Sequence, residues 1–398
     1  MYIANKIGVV LDATATDGGA YQYSRTVIKA LSTMDIKADI YYIYYDPLWS
    51  EQLIGKKNHL IKYAKLTPLN ILGAILRRID QGYKFAKYYK YFRQMYHKLN
   101  KDSIQLLIYP CPMPWAAEFD IPSIVSIHDI QHRLHPEFPE VGDQKNRKKR
   151  EYLYSNICSK TKLIFVDSEV GKKDLIAEYA VNEGKIMVLP FVPNEDLLNI
   201  RPINVIEQFQ LPEKYIFYPA QFWRHKNHGN LLRAISMVRD RFSIDVPLVL
   251  VGCEKNGSEE VNRLVRELDL RSLVFNLGYV SDQELVSLYH QAVSLVMPTF
   301  FGPTNIPPLE AFILGCPVLI SGISSIPEQV GDAALLFNPY DVYEMSYKIF
   351  LVWTDKKLRE QLIKKGKQRA KINSEETFSR KLRLGVISVL EELFDSPF

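Results

Sequence analysis

The chain has 398 residues, of which 47% are apolar and 24% are charged, as in a soluble globular protein of about two or three domains. Its net charge is only +5, and its four cysteines lack C-x-x-C spacing, which argues against a disulfide framework or a zinc site. No apolar run reaches membrane-spanning length and the first one is too short for a signal peptide, so we expect a cytoplasmic protein.

Short apolar runs alternate with helical patterns through the first half of the chain. We predict buried strands at Lys6–Leu11, Asp39–Tyr45, Leu106–Tyr109, Ser123–Ile127, Leu163–Val166 and Lys185–Leu189. Gly18 and Gly19 follow the first strand at a strand-to-helix turn, where glycine lets another molecule approach the backbone. The turn is not a G-x-G-x-x-G fingerprint, which weakens the case for a nicotinamide dehydrogenase.

Positive charge concentrates in residues 56–101, where twelve Lys or Arg face one acid, Asp80, and tyrosines and phenylalanines are interleaved. The part Leu69–Leu76 is apolar and could form one helix face. We predict that this region makes a peripheral contact with anionic lipid on the inner face of the cytoplasmic membrane. A solvated helical face that packs its aromatic rings inward is an equal alternative, and we expect no nucleic-acid partner because no recognised module is present.

A histidine and an aspartate, His128 and Asp129, follow the fourth predicted strand. A lone histidine at a strand end is often structural, but the pair after an apolar strand favours a role in binding. His132 and His135 lie in what reads as an irregular loop, so we predict no metal site. The basic run 146–150 is either a second basic contact or a solvated helix start.

The alternation of strands and helices begins again after a proline-rich stretch. We therefore predict a doubly wound α/β N-terminal domain at 1–190, a linker at 191–212, a second such domain at 213–373, and a C-terminal helix at 374–398 that packs back on the first domain. Ligands of such sheets bind outside the carboxyl ends of the strands. The loop A-Q-F-W-R-H-K after the strand Tyr215–Tyr218 is a candidate, because it presents Arg224 and Lys226.

The stretch Ser294–Ser321 contains the most specific pattern, a strand, a Gly/Pro/Thr/Asn loop and a helix that we predict to begin at Pro307–Pro308. Such a loop leading into a helix N-terminus is a ready anion site. We expect Glu310 in the first turn of that helix, facing the ligand, although a first-turn acid is also explained by the helix dipole alone.

The pattern G-P-T-N-I-P-P-L-E-A-F-x-x-G-C-P-V resembles the donor-binding signature of retaining nucleotide-sugar glycosyltransferases of family 4, E-G-F-G-x-P-x-x-E-A-x-x-x-G-x-P-V. The resemblance covers most of the chain and implies the GT-B fold, two doubly wound Rossmann-like domains facing across a cleft. It implies that Glu310 binds the ribose hydroxyls and that the backbone at Thr304, Asn305 and Ile306, with Leu309, lies along the donor.

The same resemblance assigns roles to other loops. It implies that Lys226 neutralises the diphosphate and that His128, of the H-D pair, touches the transferred sugar and stabilises the transition state by hydrogen bonding. We therefore predict His128, Asp129, Lys226 and Glu310 as the catalytic residues. Gly18 and Gly19 match a glycine loop near the acceptor and the diphosphate. Tyr279 and Val280, in the loop L-G-Y-V-S-D-Q-E-L, match residues whose backbone meets the nucleobase.

Two positions depart from the family pattern. The first glutamate of the signature is Gly302 here, and the arginine of the family's G-R-x-x-x-x-K is Gln221. We expect Asn305 and Thr304 to take over the sugar hydroxyls, although a different donor or a loss of activity is also compatible with Gly302. Arg224 or His225 would supply the missing charge.

The resemblance therefore implies a retaining hexosyltransferase, mannosyltransferase-like, that uses a GDP- or UDP-linked sugar and a glycan or lipid-linked acceptor in surface polysaccharide biosynthesis. No Asp-x-Asp occurs in the sequence, so we expect no metal cofactor, with the leaving-group charge met by Lys226, loop N–H groups and the helix dipole. The alternatives are a catalytically silent partner subunit, which Gly302 and Gln221 would suit, or a phosphorylase or epimerase of related fold.

Overall fold

The computed structural model describes residues 5–14, 17–53, 59–63, 67–79, 86–302 and 304–395. The chain forms two compact units. Unit 1 comprises Met1–Ile130, Gln144–Pro190 and Glu376–Phe398, and unit 2 comprises Gln131–Asp143 and Phe191–Glu375. The segment 131–143 thus packs with unit 2, whereas the sequence analysis placed it in the N-terminal domain.

Unit 1 is built on a parallel sheet of seven strands in the order β3-β2-β1-β4-β5-β6-β7. The central strands are buried along their whole length, because helices cover both faces of a parallel sheet. The strands are β1 (Asn5–Leu11), β2 (Ala38–Tyr44), β3 (His59–Lys62), β4 (Leu106–Tyr109), β5 (Ser123–Ser126), β6 (Leu163–Val166) and β7 (Ile186–Val188).

Unit 2 is built on a parallel sheet of six strands in the order β10-β9-β8-β11-β12-β13. Both sheets reverse their winding direction next to their first strand, and each therefore has one switch point, between β1 and β4 and between β8 and β11. The strands are β8 (Ile216–Pro219), β9 (Leu248–Val251), β10 (Val274–Asn276), β11 (Ser294–Met297), β12 (Val318–Ser321) and β13 (Ala334–Phe337).

The first nine helices accompany unit 1, except that α6 and α7 lie in the segment that packs with unit 2. They are α1 (Gly19–Thr33), α2 (Pro47–Gln52), α3 (Pro68–Ile79), α4 (Gln94–Lys101), α5 (Pro114–Glu118), α6 (Gln131–Leu134), α7 (Pro139–Gly142), α8 (Gln144–Lys160) and α9 (Glu169–Tyr179).

The next eight helices belong to unit 2, and α18 returns to unit 1. They are α10 (Val205–Phe209), α11 (His228–Phe242), α12 (Ser258–Glu267), α13 (Asp282–Gln291), α14 (Ile306–Leu314), α15 (Ile326–Val330), α16 (Val342–Thr354), α17 (Lys356–Ile372) and α18 (Glu375–Asp395). The stretch 191–212, expected as a linker, contains a short 3-10 turn (Glu195–Asn199) and α10, and its residue Val205 is fully buried in the core of unit 2.

The C-terminal helix α18 is held to unit 1 by an apolar face. Phe378 is 1% exposed and meets the ring of Tyr23 edge-on at 5.7 Å between centroids. Gly385 lies against the Phe165 ring of β6, where an added Cβ would come within 2.7 Å of Cζ. At the far end, Lys162 and Glu392 form a 2.7 Å ion pair.

Candidate functional site

Two loops of unit 2 leave neighbouring strands at its switch point. One follows β8 and contains Gln221–Lys226, and the other follows β11 and leads into α14. Because the carboxyl ends of parallel strands lie at one edge of the sheet, the two loops meet: Phe300 N donates to His225 O at 2.8 Å. This edge of the sheet is the place where doubly wound folds bind ligands.

The helix after β11 begins earlier than the sequence analysis predicted. Helix α14 starts at Ile306, with Asn305 as an extended N-cap residue and Pro307 at the second position, where a missing N–H costs nothing. Glu310 is therefore the fifth residue of the helix, and the prediction that it lies in the first turn was wrong. The helix-dipole explanation of this acid consequently loses its basis, because the dipole acts chiefly within the first turn.

Glu310 is a buried carboxylate with a defined partner. It is 3% exposed, and Tyr289 Oη of α13 donates to its Oε2 at 2.9 Å. Burial and the adjacent carboxylate raise the pKa of Tyr289 well above its usual value, so the phenol stays a proton donor. The tyrosine thus fixes the orientation of the acid that the resemblance assigns to the ribose.

The backbone of Asn305 is held by hydrogen bonds, while its side-chain Nδ2 remains available to donate to a ligand. The side chain of Gln329 accepts from Asn305 N at 3.0 Å and donates to Asn305 O at 2.6 Å. Asn305 is 7% exposed, its side chain does not cap α14, and its Nδ2 is buried without a hydrogen-bond partner. A buried unpaired N–H costs free energy unless a ligand supplies an acceptor.

Lys226 ends a 3-10 turn (Arg224–Lys226) after β8, and its backbone carbonyl accepts from Tyr218 Oη at 2.9 Å. Its Nζ lies 3.5 Å from Asn305 Oδ1, which brings the two predicted donor-binding side chains together. Burial lowers the pKa of Lys226 to about 8, and the carboxylate of Glu140 opposes this shift. The ammonium is thus poorly solvated and ready to bind an anion.

Gln221, at the position of the family's arginine, and its two neighbours Arg224 and His225 differ in their surroundings. Gln221 is half-buried and its Oε1 accepts from Trp223 Nε1 at 2.9 Å. Arg224 is exposed, with its backbone N donating to Asn256 Oδ1 at 3.0 Å. His225 lies inward instead, and its ring stacks on Phe301 with centroids 4.1 Å apart.

The sequence analysis did not predict Glu140 of α7, whose carboxylate binds the loop that contains Lys226. Its carboxylate accepts from His225 N at 3.0 Å, from His225 Nδ1 at 2.5 Å and from Asn256 Nδ2 at 2.9 Å. Although burial opposes it, these hydrogen bonds lower the pKa of Glu140 to about 2. The only signal in the sequence is an acid beside a proline, which is too common to single it out.

The remaining predicted donor residues range from exposed to fully buried. Tyr279 is 81% exposed beside a buried Val280, in the turn before α13. Ser281 closes that turn with a capping box to Glu284. Thr304 is half-buried, and Leu309 is fully buried in the core below α14.

In unit 1, the predicted glycines and the histidine–aspartate pair each lie in loops that follow strands of the sheet. Gly18, with a φ of 55°, precedes α1, and Gly19 begins it. His128 Nε2 lies 2.8 Å from Pro110 O, and burial lowers the pKa of His128 against the effects of that carbonyl and of Asp129. Asp129 is bound to Arg150 of the basic run, at 2.5 Å.

The other two histidines have structural surroundings, and the irregular loop expected around them contains the short helix α6 instead. His132 is fully buried in α6, and His135 stacks on Phe301 with centroids 5.3 Å apart. Among the residues that the structure describes, no group of three or more His, Cys, Asp or Glu side chains could hold a metal ion.

Comparisons with known proteins give one family match and several similar chains. Residues 199–369 match the family described as "Glycosyl transferases group 1". The chain is 28% identical over 253 residues to the O-antigen chain mannosyltransferase B of Escherichia coli, a match that covers 63% of this chain and 66% of that protein. It is 25% identical over 270 residues to the serotype-specific mannosyltransferase WbdA of Escherichia coli, covering 66% of this chain and 32% of that protein. The match thus spans just under two thirds of the first relative and about a third of the second.

Among solved structures, the chain is similar to Anabaena Alr3699/HepE in complex with UDP and glucose, with a TM-score of 0.74 and 14% identity, over 96% of this chain and 100% of that chain. Structural likeness at this identity establishes the architecture, two doubly wound parallel sheets of the GT-B type. The family match lies on unit 2 and includes both loops at its switch point. Residues 199–369 are therefore similar to the glycosyl transferases group 1 family, and the chain has the GT-B fold.

Proposed function

We propose that the chain is a retaining glycosyltransferase that moves mannose, or a similar hexose, from a nucleotide diphosphate donor to a glycan or lipid-linked acceptor. The observation that carries the proposal is the convergence of Lys226, the buried and unpaired Nδ2 of Asn305, and the N-terminus of α14 at the switch point of unit 2. All three are positive or proton-donating, and together they suit the diphosphate and the sugar of such a donor.

The nucleotide would be held by its ribose. Glu310, oriented by Tyr289, presents a carboxylate, which accepts hydrogen bonds from vicinal hydroxyls. We assign the acceptor to loops of unit 1 that include Gly18, Gly19, His128 and Asp129, as the family resemblance implies. His128 is neutral near pH 7 because burial lowers its pKa, so it would act as a hydrogen-bonding group.

The chemical step follows from the groups in the two loops of unit 2 that follow β8 and β11, which we call the first and second donor loops. As the bond between the anomeric carbon and the phosphate oxygen breaks, negative charge develops on the diphosphate, and Lys226 with the N–H groups before α14 would stabilise it. The acceptor hydroxyl would then attack from the same face and pass its proton to the departing phosphate oxygen. This route retains configuration without a protein nucleophile at Gly302 and uses no metal cofactor.

Mannose and a surface polysaccharide are proposed because the curated relatives that match are named as O-antigen and serotype-specific mannosyltransferases. The nucleotide would then be GDP or UDP. A test is a thermal-shift titration of the protein with GDP, UDP, GDP-mannose and UDP-glucose, beside Glu310→Ala. A nucleotide that binds the folded state must raise the unfolding midpoint by mass action. Stabilisation by one nucleotide that the variant loses would support the proposal, and no shift with any nucleotide would refute it.

We also propose peripheral contact with anionic membrane through the basic region 56–101. Within its described part, α3 exposes Ile71, Leu72 and Ile75 at 46%, 47% and 50%, and Tyr88 and Tyr91 are about equally exposed. Residues 56–58, 64–66 and 80–85 of the region lie outside the described residues. Across the part of the chain that the structure describes, every helix is too short or too polar to cross a bilayer.

A further inference from the structure

The segment Gln131–Asp143 is packed onto the two donor loops of unit 2. Phe301 of the second loop is stacked between two imidazoles, that of His135 at 5.3 Å and that of His225 at 4.1 Å. Phe138 meets the same ring edge-on at 5.1 Å. The segment is therefore a structural part of the donor site, although residues 144–190 of unit 1 separate it from the rest of unit 2 in the chain.

Glu140 of this segment reaches the first donor loop. Its side chain is 5% exposed and bonds both the backbone N–H and the imidazole of His225, at 3.0 and 2.5 Å. Its other oxygen accepts from Asn256, whose Oδ1 in turn accepts from Arg224 N. Glu140 therefore fixes, directly or through Asn256, two of the three residues in the turn that ends at Lys226.

The charges around Lys226 explain why an acid is needed there. His225 precedes it in the turn, and His228 of α11 is close enough for Lys226 to lower the pKa of that histidine. Asn305 Oδ1, a neutral acceptor, lies 3.5 Å away. Burial disfavours the ammonium, and the carboxylate of Glu140 is the charge that favours it.

We propose that Glu140 is a positioning residue that holds the His225–Lys226 turn in place and keeps Lys226 charged for the diphosphate of the donor. This inference rests on the proposed function. It also gives the missing arginine at Gln221 a physical replacement. Arg224 of this loop is exposed, so the charge that faces the diphosphate would come from Lys226, which a distant acid keeps protonated.

The experiment measures the affinity for GDP or UDP, whichever stabilises the wild type, between pH 6 and pH 9. Glu140→Gln keeps the size of the side chain and removes its charge. Loss of a nearby opposite charge lowers the pKa of a lysine by about one unit or more. We therefore expect nearly equal affinities at pH 6, about threefold weaker binding by the variant at pH 7.5, and about tenfold weaker binding at pH 9, which are the ratios of the protonated fractions.

Two further variants keep the test decisive. Glu140→Asp retains the charge and should retain the wild-type pH midpoint even if its overall affinity falls. Glu267→Gln is the control, because Glu267 lies on α12, its side chain is 51% exposed and its 2.7 Å ion pair is with Arg263 of the same helix. It should behave as the wild type at every pH.

The pH effect must also depend on Lys226. In a Lys226→Met background, adding Glu140→Gln should cause no further pH-dependent loss. If the loss persists there, His225 and not Lys226 is the group that Glu140 controls, and the inference is wrong. A loss of affinity by the same factor at all pH values would show a purely structural role and would also overturn it. If the wild type binds no nucleotide at any pH, the proposed function itself fails.

Discussion

The side-chain amide of Asn305 lies over Gly302: a Cβ at Gly302 would be 3.2 Å from Asn305 Nδ2 and 3.3 Å from Oδ1. Two of the positions at which this chain departs from the family signature, Gly302 in place of a glutamate and Asn305 in place of a glycine, are therefore in contact and form one coupled change. An acid at 302 would require the amide to move, and the φ of 141° at Gly302 would strain any side chain there.

Restoring the family residues should accordingly work only as a pair. We expect Asn305→Gly to weaken nucleotide-sugar binding about fivefold, the effect of one hydrogen bond of about 1 kcal/mol, and to leave nucleoside diphosphate binding nearly unchanged. Gly302→Glu alone should weaken both, and the double variant should bind better than Gly302→Glu. Calorimetric titration with the nucleotide and the nucleotide-sugar measures all four proteins. Equal losses for both ligands in Asn305→Gly would indicate that the amide binds the phosphate and not the sugar.

Tyr289 should matter for the nucleotide although it was not predicted as a site residue. Tyr289→Phe removes the 2.9 Å hydrogen bond to Glu310 and leaves the ring packed edge-on against Phe217. Because hydrogen bonds to charged groups contribute about 1.5–3 kcal/mol, we expect at least a tenfold loss of nucleotide affinity. Glu310→Ala should lose more. Wild-type affinity in Tyr289→Phe would mean that Glu310 is oriented by other contacts.

The docking of α18 should be essential for the stability of unit 1. Phe378 is 1% exposed, and truncation of such a ring typically costs about 3–5 kcal/mol. We expect Phe378→Ala to lower the free energy of unfolding by that amount in urea denaturation. Leu384→Ala, on the same helix but with a side chain that is 56% exposed, should change it by less than about 0.5 kcal/mol. Similar values for the two variants would contradict the packing described here.

His228 should make unit 2 sensitive to acid. It is 3% exposed and stacks on Phe222 at 4.7 Å, and burial, with lesser effects of Lys226 and His225, lowers its pKa to about 3. The unfolded chain therefore binds a proton at this residue more readily than the folded protein. Its contribution to stability is complete above about pH 6.5 and is lost as the pH falls towards 3.

A substitution that cannot titrate should remove that dependence. We expect the free energy of unfolding of His228→Gln to fall less steeply between pH 6.5 and pH 4 than that of the wild type, whatever its value at pH 7. His97→Gln, at an exposed histidine, is the control and should keep the wild-type slope. Parallel slopes for all three proteins would exclude His228 as the sensor.

The apolar face of α3 should carry the membrane contact. Ile71→Ser, Leu72→Ser and Ile75→Ser together remove three exposed apolar side chains from one helix face. Since each such side chain contributes up to about 1.5–3 kcal/mol when buried, co-sedimentation with anionic phosphatidylglycerol vesicles should fall at least tenfold. Leu384→Ser, on α18, should have no effect. Equal binding of all variants would rule out this face. Binding to neutral vesicles as strong as to anionic ones would rule out attraction between the basic residues and anionic lipid.

The sequence by itself determined the alternation of strands and helices, the two doubly wound sheets and the resemblance to a glycosyltransferase family. These follow from local patterns, because an apolar run of four residues between turns reports a buried strand wherever it lies. The signature around Glu310 is likewise continuous in the chain, so it could be recognised without any knowledge of the fold.

The tertiary structure alone decided which side chains support those motifs. Glu140 binds His225 across 85 residues of sequence, and Gln329 fixes the backbone of Asn305 from 24 residues away. No local pattern encodes such partners, since a single acid or amide has many possible roles until folding brings it to a neighbour. The start of α14 was also misplaced, because proline is tolerated throughout a first turn and so does not mark one position.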